Sequence, residues 1–427
     1  MNMCPIPKKS NRPHAADVAR YPDLMLPTRP QELPPTAGLP LTLADLWPGR
    51  ATLAADIAVQ IGAPALQLEC SGTACLLVTL IALRELQPHR RRVVVPAFTC
   101  PLVAIAVHQA GLELQLCDVR PGHFDLDPIA LRAVCDEQTL AIVPTHLGGR
   151  IADVDDAVAV ARAIGAYVIE DAAQTLGGRI NGKSIGLTGD VGFFSLAAGK
   201  GLSIYEGGLL LARDPLLREH LKQTSKRIVP RRLGWELRRT VELLGYAALY
   251  RPSGLRIAYG EPLRRALRRG DPVSAVGDDF PLTVPLHTVG RWRQAIGAHA
   301  AARLPAFIDQ LSAQAKRRLP RLRQISGVDV LDDAPGESGT WPFLLLLLPD
   351  QTRRDAAMFQ LWQAGLGVSR LYIDALPDYA YLADIVPRQD MPNARDFAAR
   401  SLSISNSLWV TDDDFETICR ALEAIVA

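Results

Sequence analysis

The chain has 427 residues, of which 48% are hydrophobic and 22% charged, a composition that excludes disordered and fibrous proteins. Its net charge of +2 excludes a polyanion binder built on overall charge, and no apolar run approaches the roughly 18 residues of a membrane-spanning helix. Seven cysteines, an odd number without C-x-x-C spacing, read as reduced and mostly buried thiols of a cytoplasmic protein.

At roughly 100–200 residues per domain the length predicts two domains, or three. Residues 1–50 are proline-rich with little periodicity, which predicts an extended, partly mobile N-terminal arm. Met1 to Pro13 lacks the apolar stretch of a secretory signal. From 51 to 212 short apolar runs alternate with helical patterns. Strands are predicted at 92–98, 112–119, 140–146, 166–171, 191–196 and 208–212, with helices at 73–86, 101–110, 128–135 and 153–164 between them. Such alternation implies a largely parallel sheet covered on both faces, and runs such as Val93-Val94-Val95 suit strands buried on both sides.

Charge is uneven. Residues 222–269 carry 13 Lys and Arg against 3 Glu, a local net of +10, leaving −8 for the remainder. Within this stretch 235–250 predicts an amphipathic helix. Three readings of the basic segment stay open. It is a solvated helical excursion, or it lies on an anionic membrane surface with Trp235, Leu237, Leu243, Leu244 and Tyr246 in the interface, or it helps bind an anionic substrate such as a nucleoside diphosphate. Polybasic segments gain roughly 1 kcal/mol per Lys or Arg near such a membrane. The membrane reading allows peripheral contact through 222–270 at the inner membrane face. No recognition motif accompanies the charge, so no nucleic-acid partner is expected. Beyond it come a helical pattern over 289–323, a strand at 343–348, a helix near 353–365 and a last helix over 412–426. One strand with flanking helices predicts a smaller C-terminal α+β domain.

Among the motifs, Gly177 to Ser184 (GGRINGKS) matches the phosphate-binding pattern GxxxxGK[ST]. That pattern works between a strand and a helix, whereas Asn181-Gly182 reads as a hairpin turn. Cys70-Ser71-Gly72-Thr73-Ala74 precedes the first strong helix. Free amides at a helix start bind phosphate, although Ser or Thr there is also an ordinary cap. Glu170-Asp171-Ala172-Ala173-Gln174 ends an apolar strand, the edge at which α/β sheets bind ligands. Ser195-Leu-Ala-Ala-Gly199-Lys200 follows another strand; a lysine desolvated among small apolar residues has a lowered pKa and acts as an amine nucleophile, whereas a lone lysine otherwise reads as a surface residue. A phosphate cradle, an acid at a strand end and a desolvated lysine are the parts that hold pyridoxal 5'-phosphate.

In order and spacing these stretches resemble the DegT/DnrJ/EryC1/StrS family, sugar aminotransferases of pyridoxal-phosphate fold type I. The resemblance runs through SGTA at 71–74, VVVPAFT at 93–99, FDLDP at 124–128, PTHLGGRIADVD at 144–155, VIEDAAQ at 168–174, GD at 189–190, FSLAAGK at 194–200 and EGG at 206–208. It is looser in RQAIGA at 293–298 and over 402–425. It implies a large mostly parallel-sheet α/β domain holding the cofactor at 51–288, with 216–275 as a basic helical insert, and a small C-terminal α+β domain at 289–427. By the same resemblance Lys200 forms the Schiff base, Asp171 pairs with the pyridinium nitrogen, and Gln174 bonds near the ring hydroxyl. Gly72, Thr73 and Ala74 bind phosphate with Ser195. No metal site is implied. The implied assembly is a homodimer with active sites at the interface.

Two positions depart from the family pattern. Cys100 stands where an aromatic residue usually stacks on the ring, and His287 or Thr288 where an Asn usually reaches the partner's phosphate. His146 at a strand end reads as structural or as a substrate contact, and Arg370 and Tyr372 lie where the small domain can face the site. The implied reaction moves an amino group from an amino acid, L-glutamate first, to a keto sugar, nucleotide-linked in the leading reading. The alternatives are another pyridoxal-phosphate reaction on a non-sugar ketone, or a non-catalytic regulator or membrane-associated scaffold that retains the fold.

Overall fold

The computed structural model describes residues 28–47 and 49–427. Residues 1–27 of the predicted arm, with Cys4 and the Met1 to Pro13 stretch, lie outside the described residues.

The strands of the main sheet are β1 Gln67–Glu69, β2 Arg92–Pro96, β3 Glu113–Cys117, β4 Thr139–Ile142, β5 Tyr167–Asp171, β8 Val191–Ser195 and β9 Gly208–Ala212; a short hairpin, β6 Arg179–Ile180 and β7 Lys183–Ser184, interrupts them in the chain. Their spatial order is β1-β9-β8-β5-β4-β2-β3. The pairs β2–β3, β2–β4, β4–β5 and β5–β8 are parallel, while β9 runs antiparallel to both β8 and β1. The sheet is thus mostly parallel, as the alternating pattern predicts, with an antiparallel edge.

Both faces are buried because the central strands carry apolar residues at successive positions, Val93 to Val95 and Leu140 to Ile142 among them. Val94, Cys117, Ile142 and Val168 pack with Leu131 of helix Pro128–Val134, with Ala157 and Ala161 of helix Asp155–Ile164, and with Val154 just before it. The alternate residues Val93, Val95, Ala141 and Ile169 pack on the other face with helices Gly72–Leu86 and Pro101–Gln109. The two-residue side-chain period sends neighbours to opposite sides.

The predicted strand at 140–146 ends early, at Ile142. Pro144 has no N–H to give, and pairing resumes only as the isolated bridge from Thr145 to Asp171. The helical pattern over 289–323 is two helices, Arg291–Ala301 and Leu304–Arg323. Pro305 stands in the first turn of the second, where its missing N–H costs nothing. The C-terminal part is richer than one strand. β12 Phe343–Leu347 pairs with β14 Ser401–Ser405, flanked by β10 Asp329–Val330 and β13 Val368–Ser369, all antiparallel, while β11 Glu337–Ser338 joins the β6–β7 hairpin. Serines alternate with Leu and Ile in β14, and the flanking strands are two residues long, too short for a periodic signal.

The basic stretch is a chain of helices: Pro215–Ile228, Leu233–Leu249, Pro252–Leu255, a wide turn at Arg256–Gly260, then Glu261–Arg268 and Pro272–Val276. Residues 31–39 of the arm are held against it and against the loop on either side of Lys200. Gly38 N–H donates to Tyr250 Oη at 2.8 Å, Leu39 N–H donates to the Gly201 carbonyl at 2.9 Å, and Leu33 and Leu39 are buried.

Candidate active site

A cavity of about 790 Å3 opens at the carboxyl ends of the parallel strands, lined by Gly72, Thr73, Cys100, His146, Asp171, Gln174, Ser195 and Lys200. Each ends its strand or follows it in the chain, so the sheet gathers them.

Helix Gly72–Leu86 points its amino end at this cavity. Ser71 caps it, its Oγ accepting from the Ala74 N–H at 3.0 Å, and the Cys75 N–H bonds the Ser71 carbonyl. The first amides of a helix have no partner within it, which leaves those of Gly72 and Thr73 facing the cavity with the hydroxyls of Thr73 and Ser195. A Cβ on Gly72 would sit 3.1 Å from Ser195 Cβ, so glycine lets the two segments close into a cradle. Ala74 is buried and is absent from the cavity wall, its amide being taken by the cap.

Asp171 ends β5 at 4% exposure. Its Oδ1 accepts the Ala173 N–H at 3.0 Å, and no cation lies within ion-pair distance among the described residues. Burial pushes its carboxyl up to about 6, against the pull of that amide, Lys200 and His146. Glu170, one residue earlier, faces away and is held by the amides of Gly186 at 2.8 Å, Thr188 at 2.6 Å and Gly189 at 2.5 Å. His146 Nδ1 accepts the Ala152 N–H at 2.9 Å, so its Nε2–H donates to Glu170 at 3.2 Å. Burial opposes ionisation of Glu170, but the hydrogen bond from His146 and those from the amides outweigh it and hold the carboxyl below its ordinary range. Both ring nitrogens of His146 are therefore committed, which favours its structural reading.

Lys200 follows a tight turn in which Gly199 adopts φ 79° and the Lys200 N–H bonds the Ala197 carbonyl at 3.1 Å. Its half-buried side chain lies on the cavity wall, where desolvation lowers the amine pKa and nearby Cys100 and Asp171 partly restore it. Gln174 accepts the Gly148 N–H at 2.8 Å and donates to Tyr372 Oη at 3.0 Å. Tyr372 thus joins the wall from the C-terminal part, edge-on to Phe98 at 5.5 Å. Cys100 lies on the wall, and burial pushes its thiol up to about 12. Phe98 packs away from the cavity on Tyr372 and Phe397. Arg370 reaches the wall too. Its guanidinium donates to the Ala398 carbonyl at 2.9 Å, and burial, then Arg354, bring it down to about 9.

Several cavity residues escaped the sequence reading. Asp278 is buried and accepts from Tyr379 Oη at 2.6 Å and the Ile373 N–H at 2.9 Å; burial raises it to about 6. Glu206 bonds Arg239, His287 Nε2 at 3.1 Å and Trp235 Nε1 at 3.5 Å. The helix of the basic insert thereby brings Trp235, Arg238 and Arg239 to the cavity wall. These residues come from loops and the insert, and no spacing in the chain links them.

The fold and the placement of the cavity define the class. A mostly parallel sheet with a cavity at its carboxyl edge, beside a small antiparallel sheet, is the pyridoxal-phosphate-dependent transferase fold of type I. Residues 52–246 match the model of the DegT/DnrJ/EryC1/StrS aminotransferase family. It is 37% identical over 153 residues, 36% of this chain and 41% of the relative, to the UDP-N-acetyl-3-dehydro-alpha-D-glucosamine 3-aminotransferase of Acidithiobacillus ferrooxidans. It is 26% identical over 314 residues, 73% of this chain and 70% of the relative, to the dTDP-3-amino-3,4,6-trideoxy-alpha-D-glucose transaminase of Streptomyces venezuelae. The sugar aminotransferase CalS13 of Micromonospora echinospora superposes with a TM-score of 0.69 at 23% identity, covering 92% of this chain and all of that one. The matched segment spans only 30–41% of the length of the first three curated relatives.

Pyridoxal 5'-phosphate is the cofactor of this family, and the residues present fit it. Two free amides and two hydroxyls suit a phosphate. A buried carboxylate without a cation suits a protonated ring nitrogen. A desolvated amine suits a carbonyl.

Proposed function

We propose that the protein is an aminotransferase that moves an amino group from an amino acid, L-glutamate first, to a keto sugar carried on a nucleotide. The observation that carries this reading is the convergence of Lys200, Asp171 and the Gly72–Thr73 helix start on one cavity. The family match and the names of the relatives support the class of acceptor.

When bound, pyridoxal phosphate supplies an electron sink for the bond broken at the substrate carbon. The Gly72 and Thr73 amides, with the Thr73 and Ser195 hydroxyls, hold its phosphate. Asp171 stays ionised against the ring nitrogen, and Gln174 orients the ring edge while tied to Gly148 and Tyr372. Lys200 Nζ, with a pKa lowered by burial, would accept the proton of the donor's α-carbon and hold it for return. Arg370, with no carboxylate within ion-pair distance among the described residues, offers a cation to a substrate anion. The division at 51–288 and 289–427, and a homodimeric assembly, belong to the same reading.

The test is the visible spectrum of the purified protein with added pyridoxal phosphate, before and after L-glutamate, beside Lys200→Ala. The expected result is a visible band that glutamate bleaches and that the variant lacks. A protein that stays colourless with added cofactor would leave the regulator or scaffold reading in its place. A panel of nucleotide-linked keto sugars then identifies the acceptor.

A further inference from the structure

Helix Leu233–Leu249 is apolar on two opposite sides. At 100° per residue Trp235, Arg239, Leu243, Tyr246 and, just past its end, Tyr250 share the inner side. Trp235 and Arg239 reach the cavity, and Leu243 and Tyr250 are buried. On the other side Leu233, Leu237 and Val241 are 86%, 66% and 61% exposed, and Leu244 continues the row. Ile257 on the following turn is exposed as well. A helix on the surface of a globular protein normally turns polar residues outward. Isolated exposed leucines need no explanation, but a contiguous row marks an interaction surface.

The charge around the row has one sign. Arg231, Arg232, Arg251, Arg265, Arg268 and Arg269 are exposed on the segments flanking this helix. The acids of the stretch are engaged elsewhere. Glu236 bonds Arg293 at 2.5 Å, Glu242 bonds Arg239 at 2.5 Å and Arg238 at 3.0 Å, and Glu261 lies 3.7 Å from Arg264. What faces outward is leucine rimmed by arginine.

We propose that this face docks on an anionic lipid bilayer, with Leu233, Leu237, Val241 and Leu244 entering the interface and the arginines meeting lipid phosphates. The arginine rim decides between a bilayer and a second copy of the chain. A two-fold contact sets a patch against itself, which would oppose one rim of arginines to another. The residues differ from those expected from sequence alone: Trp235, Leu243 and Tyr246 turn inward, and Leu233 and Val241 take their place. No helix among the described residues is long and apolar enough to cross a membrane, so the contact is peripheral.

The test is sedimentation of the full chain with vesicles of phosphatidylcholine alone and of equal parts phosphatidylcholine and phosphatidylglycerol. The expected result is binding to the anionic vesicles only, reversed by salt on the order of 0.5 M. Leu237→Glu with Val241→Glu should weaken binding about tenfold or more while thermal melting and gel-filtration volume stay unchanged. Arg231→Gln with Arg232→Gln and Arg268→Gln should weaken it too and flatten its salt dependence; this set decides the matter if the first variant misfolds. Wild-type protein that stays in the supernatant with anionic vesicles, or a leucine-row variant that sediments as well as wild type, overturns the proposal. So does a wild-type dimer that the Leu237→Glu, Val241→Glu variant splits, because a second copy then covers the row. None of these readouts depends on cofactor or turnover.

Discussion

Glu170 and Asp171 are neighbours in sequence and opposites in chemistry. The strand period sends one side chain into a nest of three amides and the other into the cavity. The first is an acid held charged for structure, and the second is an acid kept short of partners. Because the Asp171 pKa stands at about 6, above the ordinary 3.8, the folded state holds a proton that the unfolded chain has released between these values. Stability of the cofactor-free protein therefore falls as pH rises through that window, and Asp278, raised to the same region, adds to the fall. Asp171→Asn should stabilise the cofactor-free protein by roughly 1–3 kcal/mol at pH 8, change little at pH 4, and abolish turnover. Urea unfolding at the two pH values, with an activity assay, checks this.

Among the elements, β9 is the strand on which the cradle leans. A Cβ on Gly208 would fall 2.3 Å from the Ser71 carbonyl and 2.7 Å from Cys75 Sγ. The glycine lets β9 pass directly beneath the helix start, and the sequence EGG shows the residue without the reason. Gly208→Ala should cost about 1–3 kcal/mol and loosen the phosphate site, measured as a lower melting temperature and weaker uptake of pyridoxal phosphate. Where an element is set by local chemistry, the sequence was readable. Asn181 and Gly182 take positive φ values of 49° and 78° in the hairpin joining β6 to β7, as an Asn-Gly turn requires, and the phosphate-binding pattern there is a coincidence of letters. Where two-residue strands depend on their neighbours, as in β10 and β13, it was not.

For the molecule as a whole, the described part of the arm acts as a strap. Glu32, at the end of a proline-rich stretch, is buried against Arg264 of the insert with Oε2 2.8 Å from the guanidinium. Arg29 bonds Asp414 of the last helix at 2.5 Å, and Pro35 and Thr36 reach the cavity wall. Arg264→Leu leaves the Glu32 carboxylate buried without its cation and should cost about 3–5 kcal/mol at neutral pH. Glu32→Gln added to Arg264→Leu should recover part of that cost. Chemical unfolding of wild type, both single variants and the pair checks the coupling.

The sequence by itself determined the strand–helix alternation and the two-sided burial of the central strands; through a family resemblance it grouped Gly72, Thr73, Ala74, Asp171, Gln174, Ser195 and Lys200, all of which except Ala74 line one cavity. Each of these depends on residues close in the chain: an apolar run, a small-residue loop, a cap, an acid at a strand end. Only the tertiary structure decided that Glu170 is held by Gly186, Thr188 and Gly189 with His146, that Asp278, Trp235 and Arg239 belong to the cavity, and which leucines of the basic helix face out. Those outcomes rest on contacts between segments tens to hundreds of residues apart, and the helical period names two faces without saying which one the rest of the protein covers.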